Sequence, residues 1–158
     1  KCIEFEDPDA VAAQVRSVIR ELAPSTVITF YPGHGVHPDH DALGHATVLA
    51  VRGMTADERP QVLAVAVGER EQILEELGPH HVACDIEAYA ETKLAALRAH
   101  RSQTEVMFAQ WDEKRQGTGA GPVSANDDQS KAFRDEFAKR ERFYVLNADA
   151  PTLIEQRA

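Results

Sequence analysis

Two short apolar runs, TVITFY (26–31) and QVLAVAV (61–67), alternate along this sequence with stretches whose apolar residues recur at helical spacing. Runs of this length are too short for buried helices, and their Val, Ile and Thr content suits strands covered on both faces. Their neighbours follow the other period. In DPDAVAAQVRSVIREL (7–22), Val11, Val15, Val18, Ile19 and Leu22 share one face, Pro8 lies near the start and acidic residues surround the first turn, so an amphipathic helix is predicted. A second helix is expected from Pro38 to Val51, with Leu43, Ala46, Thr47, Ala50 and Val51 turned inward. REQILEELG (70–78) predicts a short helix ended by Gly78, HVACDI (81–86) a strand, and EAYAETKLAALRAHRSQ a helix over Glu87–Ala99. The stretch 116–129 mixes Gly, Pro, Ser, Asn and Asp without periodicity and is expected to be a long mobile loop. One more helix and a terminal strand are expected in SKAFRDEFAKRERFYVLN (130–147). This alternation predicts an α/β fold, a Rossmann-like, mostly parallel sheet with helices on both faces.

The 158 residues are enough for one domain to bury roughly two thirds of its unfolded surface, so a single domain over 1–158 is expected. No apolar run approaches the ~20 residues that span a bilayer, which argues against a membrane partner. A formal net charge of -9, with no run of Lys and Arg, argues against a nucleic-acid partner, because the chain would repel a polyphosphate at long range. The expected ligands are small molecules. Cys2 and Cys84 lack metal-ligand spacing and read as ordinary thiols of a reducing compartment, which points to the cytoplasm. Lys1 is not an initiator methionine and no leader precedes it, so the sequence is expected to be part of a longer polypeptide.

The chemistry concentrates in YPGHGVHPDHDALGHA (31–46), where His34, His37 and His40 recur every third residue. In layered α/β folds, ligands bind beyond the carboxyl ends of strands, and this segment follows the first predicted strand. Gly33 and Gly35 let the backbone bend, and Pro38 suits a first helical turn because its missing N–H is no loss there. His37 then falls at the cap and His40 near the third helical position, close enough to address one reaction centre. Imidazole is the commonest ligand of zinc, and a catalytic zinc takes three protein ligands with one position left for water. His40, on a helix whose positive end favours the neutral ring, suits a ligand. His37, on the looser side of Pro38, suits a proton donor or an oxyanion partner. Asp39 complements the helix terminus and could fix a histidine tautomer from outside the metal shell. A metal site, a proton-transfer site and a solvated loop all remain open on these residues alone. His80 and His81 read as turn residues, His45 as an outer-face residue, and His100 as a helix-end imidazole that meets the carbonyl dipole.

TFYPGHGVHPDHDALGHA resembles the second motif of the PIG-L/LmbE-like family of zinc-dependent N-deacetylases, and KLAALRAHRSQT (93–104) resembles a later segment of that family. The extended YPGHGVHPDH is similar to the bacillithiol-biosynthesis deacetylases of the second type, which act on N-acetylglucosaminyl malate. The resemblance implies a Zn2+ cofactor, or another divalent metal, and a homo-oligomer. It implies that His40 is a metal ligand and that His37 stabilises the oxyanion or protonates the leaving amine. Apart from the resemblance, His34 and His100 are expected either to line the substrate pocket or to be merely structural. The family's Ala-His-Pro-Asp-Asp-Glu stretch, which supplies two more zinc ligands and the general base, is not found here, so those roles fall on no residue of this sequence. The fold it implies is LmbE-like with its N-terminal strands missing, this chain being the C-terminal major part of a longer domain. Rival expectations are a deacetylase or amidase of another sugar conjugate, such as a chitooligosaccharide or a thiol conjugate, and a non-catalytic metal- or sugar-binding module held by the three histidines alone.

Overall fold

The computed structural model describes residues 2–102, 104–106, 108–109 and 138–157, so the loop expected at 116–129 and most of the helix expected after it lie outside the described residues. The elements are α1 (Pro8–Leu22), β1 (Thr26–Phe30), α2 (Pro38–Arg52), β2 (Gln61–Val65), α3 (Arg70–Leu77), β3 (Val82–Asp85), α4 (Ala90–Ala99), β4 (Arg140–Leu146) and α5 (Leu153–Arg157), with short 3-10 turns at Ile3–Phe5 and Glu87–Tyr89. The α/β layering expected from the sequence is present, and the strands follow the order β1-β2-β4-β3.

The sheet is mixed rather than mostly parallel. β1 and β2 pair in parallel from Thr26↔Gln61 to Phe30↔Val65, whereas β4 is antiparallel to β2, with Val62 opposite Leu146 and Ala64 opposite Tyr144. The terminal strand thus inserts beside β2, so β2 and β3 do not pair directly. Hydrophobic runs read the same in either pairing, and periodicity could not have shown this.

The residues divide into two compact units, Lys1–Val82 with Arg142–Ala158, and Ala83–Glu141. In the first, α1 and α2 lie on one face of β1, β2 and β4. Ile19, Val51, Met54, Val62 and Ala148 form a buried cluster with Val15, Val27 and Leu146 packed against it. Ala12, Ala46 and Ala50, all at most 1% exposed, form the second cluster. Small side chains at these positions let the two helices approach closely, as the inward stripe predicted for α2 requires. Along β1 the alternation is visible. Val27 joins the core and the Thr29 hydroxyl lies 3.4 Å from that of Thr47 on α2, while Ile28 between them is 61% exposed.

Three arginines fasten the ends of these elements. Arg16 of α1 donates from Nε to the Ala50 carbonyl at 2.9 Å, satisfying an oxygen in the last turn of α2 that has no helical partner. Arg52 donates to the carbonyls of Ala148 and Ala150 and forms a two-pronged pair with Glu155 at 2.7 and 3.1 Å. Arg59 makes a similar pair with Asp149. The segment 147–157 is thereby bound back onto α2, which corrects the outer-face reading of His45. That ring is half-buried, with Nδ1 3.1 Å from the Thr152 hydroxyl, and burial pushes its pKa down.

In the second unit, Ile86 donates to the Lys139 carbonyl, Lys139 pairs with Glu87, and Lys93 pairs with Glu141 at 2.8 Å. The Arg98 guanidinium covers the buried Phe108 ring at 4.8 Å. His100 is the C-cap of α4, exposed, with its backbone N–H bonded to the Leu97 carbonyl.

Candidate active site

The turn between β1 and α2 is built by its glycines and one acid. Gly33 has φ +97, open to glycine without penalty, and Val36, 70% exposed, has φ +70, a left-handed conformation that strains a β-branched residue. At Gly35 a Cβ would stand 2.8 Å from the His40 Cβ, so no side chain fits there. The Asp41 carboxylate closes the turn, one oxygen accepting the N–H of Gly33 at 2.7 Å and of Gly35 at 2.8 Å. Val67 donates its N–H to the His34 carbonyl at 2.7 Å, which fixes the turn to the end of β2.

His37 is the N-cap of α2, as its place before Pro38 predicts, and its ring Nδ1 accepts the N–H of Asp39 at 3.1 Å. A nitrogen that accepts is bare, so in the neutral ring the proton sits on Nε2. His40 is arranged the other way. Its Nδ1 lies 2.7 Å from the Gly35 carbonyl oxygen, which can only accept, so the proton sits on Nδ1 and Nε2 keeps its lone pair. The ring stacks on Phe30 at 4.0 Å with 3° between planes and lies 5.6 Å from the His37 ring. One imidazole therefore offers a donor and its neighbour an electron pair.

Asp39 holds His37 through its backbone N–H. Its carboxylate takes the N–H of Glu4 at 3.0 Å and stands 3.9 Å from the His37 Nδ1, too far for a hydrogen bond. His34 is 7% exposed, and its Nε2 is 3.2 Å from Glu76, which also binds Arg157 at 2.6 Å. The Gln72 amide, then the His34 ring and Arg157, hold Glu76 below the usual carboxylate range. Tyr31 meets the His34 ring edge-on at 6.0 Å, and burial, with Tyr144 adding to it, pushes its phenol up.

Among the described residues, the one grouping of three metal-ligating side chains with donor atoms within 4.8 Å is Cys2, Glu4 and Asp39; His34, His37 and His40 do not form one. The His34 nitrogen is engaged by Glu76, which disfavours a module that holds a metal with three histidines alone. The donor set fits a metal in part: His40 presents a nitrogen in the ligating tautomer, and further ligands are assigned to no residue here. A cleft of about 300 Å³ beside the turn is lined by Ile3, Pro8, Val11, Pro38 and Ile154 among others, and neither His37 nor His40 lines it.

Sequence reasoning placed His37 and His40 on the right element but did not find Asp41, Phe30 or Glu76. Asp41 stands in the quoted motif, yet its partners become visible only once the turn is folded. Glu76 is 42 residues from His34, and no local pattern connects them.

Comparison with known proteins gives relatives of one kind. A Bacillus cereus protein named probable N-acetyl-alpha-D-glucosaminyl L-malate deacetylase 2 is 50% identical over 108 residues, covering 68% of this chain and 48% of that protein. A Bacillus subtilis protein of the same name is 43% identical over 114 residues, covering 72% and 51%. A Kineococcus radiotolerans protein named 1D-myo-inositol 2-acetamido-2-deoxy-alpha-D-glucopyranoside deacetylase is 48% identical over 46 residues, 28% of this chain and 13% of that protein. No family model and no solved structure matches. The chain spans about half the length of the Bacillus relatives it matches. Over the residues they share, an identity of 43–50% makes the chain a relative of these Bacillus proteins named as deacetylases.

Proposed function

We propose that this chain carries part of the active centre of a metal-dependent N-deacetylase acting on an N-acetylglucosaminyl conjugate, N-acetylglucosaminyl malate in bacillithiol biosynthesis. The observation that carries the reading is the opposite tautomers of His37 and His40, two neighbouring rings prepared for two different tasks. The names of the Bacillus relatives support the substrate.

In this reading His40 Nε2 is a ligand of zinc or another divalent metal. A metal bound there supplies Lewis-acid polarisation of the acetyl carbonyl and a water acidic enough to attack near neutral pH. His37, its Nε2 proton available, donates to the oxygen on which negative charge develops, or passes that proton to the departing amine. Asp39 keeps His37 in that tautomer through its N–H. His34 supports the turn from beneath, and neither it nor His100 is assigned a contact with substrate. The general base is assigned to no residue of this sequence. The proposal retains a cytoplasmic setting, from the free thiols of Cys2 and Cys84, and a homo-oligomer, from the family alone.

The test is acetate release by the whole protein with zinc, from N-acetylglucosaminyl malate, a chitooligosaccharide and a glucosaminyl thiol conjugate side by side. Preference for the malate conjugate is expected. Release from another conjugate alone would move the substrate assignment, and release from none would overturn the activity.

A further inference from the structure

We propose that Asp41, which is not one of the histidines of the turn, is the positioning residue that sets His40 in its ligating tautomer. The inference rests on the reading of His40 as a ligand only for its functional consequence; the geometry stands without it.

The chain of contacts is short. Asp41 Oδ1 gathers the N–H groups of Gly33 and Gly35, at 2.7 and 2.8 Å, and so fixes the path of the backbone on both sides of His34. The carbonyl of the same Gly35 then receives the His40 Nδ1 proton at 2.7 Å. Asp41 and His40 are consecutive residues in the first turn of α2, so the helix that carries the imidazole also carries the group that shapes its acceptor. Hydrogen bonds to a carboxylate are shorter and roughly twice as strong as neutral ones. The turn needs such a restraint. It contains a valine at φ +70, a conformation that an unrestrained β-branched residue would leave. A Cβ at Gly35 would lie 2.8 Å from the His40 Cβ and 3.0 Å from Asp41 Oδ1, so this close approach to the carboxylate requires glycine. Phe30 fixes the plane of the His40 ring by stacking at 4.0 Å, but a stacked ring can still offer either nitrogen to a solvent donor or acceptor. The Gly35 carbonyl removes that freedom, and Asp41 holds the carbonyl in place.

The experiment is 15N NMR of the histidine side chains, without added metal and at a pH where the ring is neutral, on the protein and on Asp41→Ala, Asp41→Ser and Asp41→Asn. The native protein is expected to show His40 with Nδ1 protonated and Nε2 bare. Ala and Ser cannot reach both amides, and in either folded variant the His40 signal is expected to become a mixture of tautomers, while His37 keeps its own. Asn retains the accepting oxygen and is expected to restore the native pattern, which a general loss of stability would not do. Zinc affinity, measured separately, is expected to fall by roughly 10–100-fold in Ala and Ser and to recover in Asn. A folded Asp41→Ser protein in which His40 keeps the Nδ1 proton overturns the inference and leaves the metal reading intact. A changed tautomer with unchanged zinc affinity sustains the positioning of His40 and overturns its role as a ligand.

Discussion

His37 caps α2 and His40 follows three residues later in its first turn, 5.6 Å between ring centroids, and the backbone holds them in opposite tautomers. His37 Nδ1 accepts from Asp39, so Nε2 donates; His40 Nδ1 donates to Gly35, so Nε2 accepts. A solvated loop would impose no such order. The division of labour follows from which backbone group each ring meets, a donor at the helix start or an acceptor in the turn.

Replacing His37 should therefore leave the metal in place and slow the reaction. His37→Ala is expected to lower kcat by roughly 10²–10³, the usual cost of one oxyanion-stabilising group, with zinc content unchanged. Steady-state kinetics with elemental analysis checks both halves; loss of zinc together with activity would assign His37 to the metal shell instead.

Gly44 separates two opposed effects. Alanine in a helix normally gains about 1 kcal/mol over glycine. Here a Cβ at Gly44 would collide with the Phe30 carbonyl oxygen at the end of β1. Overpacking against backbone costs typically 1–3 kcal/mol, so after the helix gain is subtracted Gly44→Ala should destabilise by about 1 kcal/mol in urea unfolding. A gain in stability would show that α2 and β1 are less closely packed than this.

Relief is expected at Val36. Its φ of +70 costs a β-branched residue about 1–2 kcal/mol, and its exposed side chain buries little to offset that. Val36→Gly should raise stability by about 0.5–1 kcal/mol after the greater chain entropy of glycine is subtracted. A loss of stability in the same unfolding assay would mean that the valine side chain packs in solution.

The pairing of Arg52 with Glu155 gives a pH dependence. The Arg52 guanidinium, with the Thr152 N–H after it, holds the Glu155 carboxyl at about 2 against an ordinary 4.5. A depressed carboxylate stabilises the fold fully above its unfolded value and loses that contribution as the pH falls from 4.5 towards about 2. With solvent screening of a partly exposed pair, the effect is about 1 kcal/mol. Urea unfolding of the protein and of Glu155→Gln should differ by that amount at neutral pH and converge in acid; a difference independent of pH would place the stabilisation elsewhere.

How much of this was legible in the sequence depends on range. α1, α2, β1 and β2 follow from periodicity and from caps within a few residues, and Asp7 and His37 cap their helices where Pro8 and Pro38 suggest. The insertion of β4 beside β2 pairs residues about eighty positions apart, which alternation of apolar residues does not encode. α5 and the return of 147–157 over His45 rest on arginine contacts to carbonyls, and any arginine could have been solvated. The histidines were visible because their residue type is rare and their spacing regular. Their tautomers were not, since these depend on the turn that Asp41 closes.

The role of His40 is tested most directly by the zinc content of the whole protein and of its His40→Ala variant after dialysis against a weak chelator. About one zinc per chain is expected in the native protein and in His37→Ala, and almost none in a folded His40→Ala. Zinc retained by His40→Ala at the native level would contradict the assignment of His40 as a ligand.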